Sequence, residues 1–430
     1  MNELTLTQHH SQIRPIQWGN CCVGQGEGDN NDAVITGNDW VKVLLISNGH
    51  GEDLNGGLIC DALRERSPLI NLYALPLVGE GTAYQMRQIP IIAPVQSLPS
   101  GGLVYMSTTT WVKDIVGGLL GLTLKQLWAL RQQRRQFDLV LAVGDSIPLM
   151  FAYLSGRPYV SFLVANSSYY EGRLRLPFTM AWWLKSPRCL GAIAKDQLTA
   201  QDLQRQGIRI CCLGYPIMDA LKPSGISLKS NQNQPLISVL PGSRVPEALR
   251  NLAQLLPLCA ALARQTPLHF WVALVPAITP DHLQAIAKEQ GWQYDNQQLT
   301  QGHCVIQVSW DRFADILHQS DLVLGMAGTA VEQAVGLGKP VVQIPGYGPQ
   351  FTYAFAEAQM RLLGCSVTTI GKNPDDPDLV AQGIDKIFAI LTDAKYQARC
   401  RQNGLERIGK AGASQAIAAY VQEIMDCFES

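Results

Sequence analysis

The sequence LGMAGTAVEQAVGLGKPVVQIPGYGPQF, residues 324–351, determines the fold that we predict for this chain. It continues an apolar run, residues 321–324, that is typical of a buried parallel strand. A glycine-rich turn containing Met326 and Thr329 follows, and a helix is expected to begin near Ala330. Such a turn before a helix favours anion binding, because the backbone can approach a phosphate closely and the first N–H groups of the helix point towards it.

The rest of this stretch predicts where a ligand would lie. The helix is expected to stop at Gly338, and a second strand at residues 341–344 leads into a polar loop at residues 346–350. Two successive strand ends with polar loops are where an open α/β sheet places its ligand. Glu332 lies on the first helical turn, where a carboxylate suits the helix dipole and can accept hydrogen bonds from sugar hydroxyls. These features predict a nucleotide-sugar pocket.

Length and composition limit the possible function classes. A chain of 430 residues is expected to form two α/β domains rather than one core. Lys and Arg total 34 against 35 Asp and Glu, and this balance disfavours a nucleic-acid-binding protein. The 11 cysteines include no C-x-x-C pair, so we expect reduced cytoplasmic thiols, with no bound metal and no disulfide framework.

Targeting and membrane-spanning segments are not predicted. The chain lacks the run of about 20 apolar residues that a transmembrane helix needs. Residues 1–38 are polar and without periodicity, as expected of a flexible leader, and they lack the basic start and apolar core of a secretory signal.

The amino-terminal half carries three candidate catalytic residues. His50 and Glu52 follow the predicted first strand, residues 40–46, and Asp145 follows another at residues 137–143. Each could act as a general base towards a hydroxyl group. Alternatively, His50 is a loop residue bonded to backbone, and the acidic residues cap helices. A helix is expected from about residue 54, and the loop before it lacks the G-x-G-x-x-G order of a dinucleotide site.

Residues 98–122 contain more apolar side chains than one buried helix stripe needs, and Arg131, Arg134 and Arg135 follow them. Apolar residues entering a lipid leaflet, beside arginines that meet lipid phosphates, would form a peripheral membrane patch. A core helix hairpin with a solvated polar end is the alternative. A second apolar stretch with flanking basic residues is present at residues 174–183.

The carboxyl-terminal half begins after a polar linker at residues 222–235. A predicted strand, residues 236–240, runs into Gly242 and Ser243, which allow the backbone to approach a phosphate. Arg244 can neutralise a diphosphate with paired donors. A bridge from Arg244 to a surface acid is the competing interpretation.

The motif LPGSR at residues 240–244 with Glu247, followed by AGTA at residues 327–330 with Glu332, resembles the glycosyltransferase family of lipid-A-disaccharide synthase. The resemblance covers about residues 41–425. It implies a GT-B fold, in which two Rossmann-like doubly wound α/β domains face a central cleft and the carboxyl-terminal domain binds a UDP-sugar.

Site roles follow from this resemblance. The diphosphate would meet Gly242, Ser243 and Arg244, and Glu332 would hold the ribose. Gly144 and Asp145 correspond to the acid of that family's amino-terminal domain. The full set of candidate nucleotide-sugar ligands is Gly242, Ser243, Arg244, Met326, Gly328, Thr329, Ala330, Glu332 and Gln350.

The first loop departs from the family pattern. The synthase has G-E-A-S-G-D, whereas residues 51–56 of this chain read GEDLNG. Residues 48–51, NGHG, are instead similar to the glycine-histidine loop of related transferases that glycosylate undecaprenyl or diacylglycerol lipids. The difference leaves the acceptor more open than the donor.

Together these features predict an inverting transfer of a hexosyl group from a UDP-sugar to a hydroxyl, on a lipid-like acceptor, without metal or cofactor. Asp145 is the first choice of base and His50 the second. We expect a cytoplasmic enzyme, held at the inner face of the membrane if residues 98–122 dock there. A UDP-sugar 2-epimerase and a non-catalytic nucleotide-sugar or lipid-binding protein are the alternatives. The expected regions are a leader at 1–38, an acceptor-side domain at 39–220, a UDP-sugar-binding domain at 235–412, and a helix at 413–430 across the junction.

Overall fold

Two β-sheets, each covered by helices, organise the chain. The computed structural model describes residues 41–96, 119–348 and 351–429. The predicted leader, most of the apolar stretch at residues 98–122, and Gln350 lie outside the described residues. Within the described ranges, none of the helices has both the length and the apolar character needed to cross a bilayer.

The first sheet is parallel throughout, in the order β2-β1-β3-β4-β5-β6. Its strands are β1 (Lys42–Ser47), β2 (Asn71–Pro76), β3 (Leu139–Gly144), β4 (Tyr159–Leu163), β5 (Cys189–Ala194) and β6 (Ile210–Cys212). Strands β3 and β4 are buried along their whole length, which explains their nearly continuous apolar sequences.

Helices connect these strands. They are α1 (His50–Arg66), α2 (Thr82–Gln85), α3 (Leu119–Gln133), α4 (Ser146–Ser155), α5 (Phe178–Leu184) and α6 (Gln197–Arg205). Short 3-10 helices lie at Arg134–Gln136, Ser168–Tyr170 and Pro216–Ala220, and a further one at Gly364–Ser366 belongs to the second half.

The second sheet has the order β14-β13-β12-β7-β8-β11-β10-β9. Its strands are β7 (Leu236–Leu240), β8 (His269–Ala273), β9 (Gln293–Asp295), β10 (Gln298–Gln301), β11 (Cys304–Ser309), β12 (Leu322–Gly325), β13 (Val341–Gln343) and β14 (Val367–Thr369). Strand β10 pairs antiparallel with β9 and β11 at one edge, and the other strand pairs are parallel.

The helices of this half follow the same alternating pattern. They are α7 (Glu247–Ala263), α8 (Pro280–Gln290), α9 (Phe313–Gln319), α10 (Thr329–Gly336), α11 (Tyr353–Leu363), α12 (Leu379–Thr392), α13 (Ala394–Arg407) and α14 (Ala413–Glu429). Helix α14 returns to the first half, where it packs on α1, and Gln415 donates a hydrogen bond to Glu65.

Strand order determines where the candidate ligand-binding residues come together. In the first sheet the direction of winding reverses between β1 and β3, and in the second it reverses between β7 and β12. The crevice at the carboxyl ends of strands beside such a reversal is where α/β sheets bind ligands. The loops that follow these four strands contain nearly all of the candidate residues predicted from the sequence.

Candidate functional site

The turn after β12 has the geometry predicted for an anion site. Gly328 occupies the N-cap position of α10 without a side-chain cap, and its carbonyl accepts hydrogen bonds from the N–H groups of Val331 and Glu332. The earliest N–H groups of a helix have no partner inside it, so those of Thr329 and Ala330 remain to meet a ligand. Met326, predicted as a ligand contact, is fully buried, and its N–H donates a hydrogen bond to the Leu240 carbonyl at 2.8 Å, so the structure does not expose it to a ligand.

The loop after β7 lies directly beside this turn. Gly242 has φ +109, and a β-carbon there would lie 3.0 Å from the Met326 carbonyl oxygen. A side chain at this position would therefore separate the two loops and strain the backbone. Asn251, on α7, stabilises the loop by donating a hydrogen bond to the Pro241 carbonyl at 2.9 Å.

Arg244 projects from this loop with part of its charge unpaired. Its Nη1 atom is buried and has no hydrogen-bond partner among the described residues. Burial lowers the pKa of Arg244, with Glu247 acting in the opposite direction, yet no ion pair of Arg244 is present in the described chain. With the acids that the structure describes, the competing surface bridge is therefore not formed. A buried guanidinium donor without a partner is suited to an incoming anion.

A small cavity of about 30 Å³ separates the two loops. Its lining includes Gly242, Ser243 and Arg244 on one side and Ala327 and Gly328 on the other. This volume is roughly that of one water molecule. A nucleotide-sugar would consequently require the cavity to widen, as domain opening and closure in two-domain enzymes allow.

The acceptor-side loop is shorter than expected, because α1 begins at His50 and not near residue 54. Gly49, at φ 111, turns the chain directly from β1 into the helix, a conformation that favours glycine. Glu52 therefore lies on the first helical turn. Its carboxylate accepts a hydrogen bond from the Asn48 N–H at 2.7 Å.

Glu52 and Asp145 form a pair of carboxyl groups at the carboxyl ends of β1 and β3. Burial, and next the charge of Asp145, raise the pKa of Glu52 well above its ordinary value. Burial also raises the pKa of Asp145, although its Oδ1 accepts a hydrogen bond from the Ile147 N–H at 2.9 Å and so caps α4. Two neighbouring carboxyl groups of this kind favour retention of one proton, which suits acid or base chemistry.

Gly144, at the end of β3, leaves the space in which the Glu52 carboxylate packs against that strand. It has φ +146, and a β-carbon there would lie 2.7 Å from the Glu52 Cδ atom. We expect Gly144→Ala to lower the free energy of unfolding by about 1–3 kcal/mol, because a strained backbone and a side-chain clash would act together. Urea unfolding followed by circular dichroism would measure the change.

Gly172 supplies a matched control for this prediction. It also has a positive φ, +76, but a β-carbon there would meet no atom within 4 Å. The difference between Gly144→Ala and Gly172→Ala therefore measures the contact with Glu52 together with the greater backbone strain at φ +146. Equal losses in the two variants would show that the carboxylate does not rest on Gly144.

His50 is exposed and lies apart from this carboxyl pair. Its Cε1 atom is 3.7 Å from the position of a β-carbon on Gly79, in the connection after β2. Among the described residues no hydrogen bond joins it to Glu52 or Asp145. His50 thus flanks the carboxyl pair on the side of β2, where it could still face an acceptor.

The loops of the first sheet contact the loops of the second sheet where the start of α1 lies beside the start of α10. A β-carbon on Gly51 would lie 3.1 Å from the Thr329 Oγ1 atom. The candidate acceptor-side loop and the candidate anion turn are therefore neighbours in space, although far apart in sequence.

Glu332 has partners that the sequence did not predict. Lys195, which follows β5, lies 3.4 Å from the Glu332 carboxylate, and their side chains are only 3% and 13% exposed. Burial lowers the pKa of Lys195, but Glu332 and Tyr170 outweigh it and raise the pKa overall. The Lys195 Nζ atom also lies 5.1 Å from the centre of the Tyr215 ring. Lys195 could have been identified from the sequence, because it directly follows a buried strand. The carboxyl ends of such strands are where α/β sheets place their ligands.

A buried network supports the start of α1. Ser47 Oγ donates a hydrogen bond to Asp53 Oδ1 at 2.6 Å and bonds to the Tyr84 hydroxyl at 2.8 Å. Asp53 Oδ2 has no hydrogen-bond partner in the described part of the chain. Burial raises the pKa of Asp53 from 3.8 to about 7, against the opposing effect of Ser47.

This pKa predicts a dependence of stability on pH. The folded state binds the Asp53 proton more tightly than the unfolded state does. The free energy of unfolding gained from this proton is fully present below pH 3.8 and is lost as the pH rises to about 7. We expect Asp53→Asn, which keeps an acceptor for Ser47, to match the unmodified protein near pH 4 and to be the more stable protein at pH 8. Thermal unfolding across this range tests the difference, and parallel curves would contradict it.

In the described ranges, no group of three or more His, Cys, Asp or Glu side chains is placed to hold a metal ion. Gln350, in the loop after β13, lies outside those ranges, and its predicted contact with the donor remains a prediction.

Sequence comparison gives relatives of one kind. No family model matches the chain. The lipid-A-disaccharide synthase of Geobacter sulfurreducens is 21% identical over 421 residues, which cover 91% of this chain and 99% of that protein. The lipid-A-disaccharide synthase of Trichlorobacter lovleyi is 24% identical over 240 residues, 52% of this chain and 59% of that protein.

Comparison with solved structures shows the fold. The UDP-GlcNAc 2-epimerase of Neisseria meningitidis, solved with UDP-GlcNAc bound, superposes with a TM-score of 0.53 at 14% identity, covering 90% of this chain and 100% of that one. The spinosyn rhamnosyltransferase SpnG superposes with a TM-score of 0.55 at 15% identity over the same shares. The predicted α/β class with GT-B architecture is confirmed. The chain therefore has the GT-B fold and is similar in sequence to lipid-A-disaccharide synthases.

Proposed function

We propose that this protein is an inverting glycosyltransferase that moves a hexosyl group from a UDP-sugar to a hydroxyl group of a lipid or lipid precursor. The observation that carries the proposal is the Arg244 Nη1 atom, which is buried beside the start of α10 and has no hydrogen-bond partner among the described residues. A cation and helix N–H groups placed together suit a diphosphate. The likeness to lipid-A-disaccharide synthases and to a UDP-GlcNAc-bound epimerase supports the nucleotide-sugar donor.

The donor side would act by stabilising the leaving group. As the bond between the sugar C1 atom and the diphosphate oxygen breaks, negative charge grows on UDP. Arg244 and the N–H groups of Thr329 and Ala330 would meet that charge once the donor is bound between the two loops, and such preorganised electrostatics are a major source of catalysis. These groups provide the positive charge on the donor side, so we keep the prediction that no metal takes part.

The acceptor side would supply the base. An acceptor hydroxyl attacks C1 from the face opposite UDP, and its proton passes to a carboxylate as the new C–O bond forms. We assign this role to Asp145, with Glu52 retaining the proton of the pair, because burial and the charge of Asp145 both raise the pKa of Glu52. Glu52 would then orient the acceptor by hydrogen bonding. His50 is the second candidate for base.

The lipid nature of the acceptor rests on the sequence relatives and on the apolar stretch at residues 98–122. We place the reaction in the cytoplasm, at the inner face of the membrane that would contain such an acceptor. Residues 98–118 lie outside the described ranges, so their membrane contact is a proposal from sequence alone.

Incubation with a panel of UDP-sugars, with and without total membrane lipid, tests the proposed reaction through release of UDP. Lipid-dependent release that is lost in Asp145→Asn and persists in EDTA is expected. UDP release without lipid, together with an altered sugar, would favour the epimerase instead. Donor binding without turnover in any lipid mixture would leave a binding protein and overturn the transferase.

A further inference from the structure

Gln359, on α11, is a buried polar side chain to which the proposed reaction gives no role. The residue is 5% exposed, and its Nε2 atom donates a hydrogen bond to the Ala327 carbonyl at 2.9 Å. Ala327 belongs to the turn after β12 and lines the small cavity that Arg244 also lines. Gln359 therefore contacts the turn that we assign to the UDP-sugar.

The contact with Ala327 determines how the Gln359 amide is oriented. A carbonyl oxygen can only accept a hydrogen bond, so the amide nitrogen must face it and the amide oxygen must point elsewhere. That oxygen, Oε1, is buried and has no hydrogen-bond partner among the described residues. Buried acceptors without a partner are rare in folded proteins, because they lose their bonds to water and gain nothing in return. The Oε1 atom is therefore suited to a hydrogen-bond donor supplied by a ligand.

Helix α11 is held in place from two sides of the molecule. Gln343, at the end of β13, donates hydrogen bonds to the Ala356 carbonyl and to the Thr369 hydroxyl, each at 2.9 Å. Ala356 precedes Gln359 by about one helical turn. The helix also packs against the 3-10 helix Ser168–Tyr170 of the first half. A buried acceptor on such a rigid element discriminates against ligands that lack the matching donor group.

We propose that Gln359 Oε1 accepts a hydrogen bond from a hydroxyl group of the bound UDP-sugar, and that Gln359 is a specificity determinant of this site. The inference rests on the proposed function, since it takes a UDP-sugar as the ligand of the turn after β12. The diphosphate of a UDP-sugar is ionised at neutral pH and has no hydrogen to donate. The ribose and the transferred sugar, which flank the diphosphate, both have hydroxyl groups. The choice of ligands in the test separates these two sources.

Calorimetric titration of the full-length protein and of Gln359→Met tests the assignment. Methionine keeps the length of the side chain but removes the amide oxygen, so we expect affinity to fall about three- to tenfold, the contribution of one hydrogen bond between neutral groups. The ligands are UDP, 2′-deoxy-UDP, 3′-deoxy-UDP, UDP-glucose, UDP-galactose and UDP-N-acetylglucosamine. If the ribose supplies the hydroxyl, the loss occurs with UDP and vanishes with one of the deoxy nucleotides. If the transferred sugar supplies it, UDP binds both proteins equally and the loss occurs with at least one UDP-sugar.

Gln343→Met is the matched control, because Gln343 is 3% exposed and its amide also donates to a backbone carbonyl. This variant should keep the relative affinities of the six ligands unchanged. Circular dichroism verifies that each variant is folded, and Gln359→Asn, which withdraws the amide by one methylene group, provides a second substitution at the site.

Two results would overturn the assignment and leave the proposed function intact. One is a uniform loss of affinity for all six ligands in Gln359→Met, which would show that Gln359 only supports the turn. The other is equal affinity of Gln359→Met and the unmodified protein for every ligand. If the unmodified protein bound neither UDP nor any UDP-sugar, the assignment and the proposed function would both be wrong.

Discussion

Replacement of Arg244 by alanine is expected to lower kcat/KM for UDP release by about 10²–10³-fold, comparable to the loss of one preorganised donor in other active sites. The structure gives the reason, because Arg244 Nη1 is buried beside the start of α10 and no group in the described part of the chain pairs with it. Its removal leaves the developing charge of UDP with helix N–H groups alone. Steady-state assays with the donor and lipid identified by the panel would measure the change.

Two further variants separate this role from a general loss of charge. Arg250 lies on α7 in the same region but is exposed, so Arg250→Ala should retain nearly full activity. Arg244→Lys keeps the charge but loses the planar pair of donors, so its activity should fall between those of the other two. An Arg244→Ala protein that is folded and as active as Arg250→Ala would show that the diphosphate is bound elsewhere.

Replacement of Lys195 by methionine is expected to lower the free energy of unfolding by about 3–5 kcal/mol, because it leaves the Glu332 carboxylate buried without its cation. The ion pair joins β5 of the first half to α10 of the second, and both side chains are largely buried. The double variant Lys195→Met/Glu332→Gln should recover much of this loss, since it removes the unpaired charge. Urea unfolding of the single and double variants measures both effects.

A surface pair provides the comparison for Lys195 and Glu332. Arg361 and Glu357 lie 3.6 Å apart on one helix, nearly the same separation, but are 52% and 50% exposed. Arg361→Met should therefore change stability by less than about 1 kcal/mol. If Lys195→Met had an effect as small as this, the pair between the two halves would not be buried in solution.

The Lys195 ion pair also bears on donor binding. Glu332 was predicted to hold a ribose, and in the structure Lys195 lies beside its carboxylate. A carboxylate fixed by a buried cation retains its charge and orientation, and one oxygen can still accept from a hydroxyl group. We therefore expect Lys195 to position Glu332 for the predicted ribose contact. In Lys195→Met, KM for the donor should rise more than kcat falls, a division that a general loss of stability would not produce.

The fold was predictable because its determinants are local. Buried parallel strands are apolar runs, and each is followed by glycine or small residues and then a helix, as at β12 and α10. Arg244 was identified for the same reason, since it lies a few residues after a strand end. Strand order, which brings the loops after β1, β3, β7 and β12 together, then follows from the doubly wound topology.

The features that the sequence did not reveal depend on contacts between distant residues. Lys195 and Glu332 are 137 positions apart in the sequence, and no spacing rule connects them. The start of α1 was placed too late because Gly49 permits an abrupt turn that the apolar pattern alone does not indicate. Met326 was grouped with the ligands, whereas its side chain packs within the core and its carbonyl lies against Gly242.

The central claim is that the loops after β7 and β12 bind the diphosphate of a UDP-sugar. Calorimetric titration of UDP into the unmodified protein, Arg244→Ala and Arg250→Ala tests it most directly. We expect one saturable site per chain, weakened at least tenfold by Arg244→Ala and unchanged by Arg250→Ala. Equal affinity in Arg244→Ala, or the absence of UDP binding by the unmodified protein, would contradict the account.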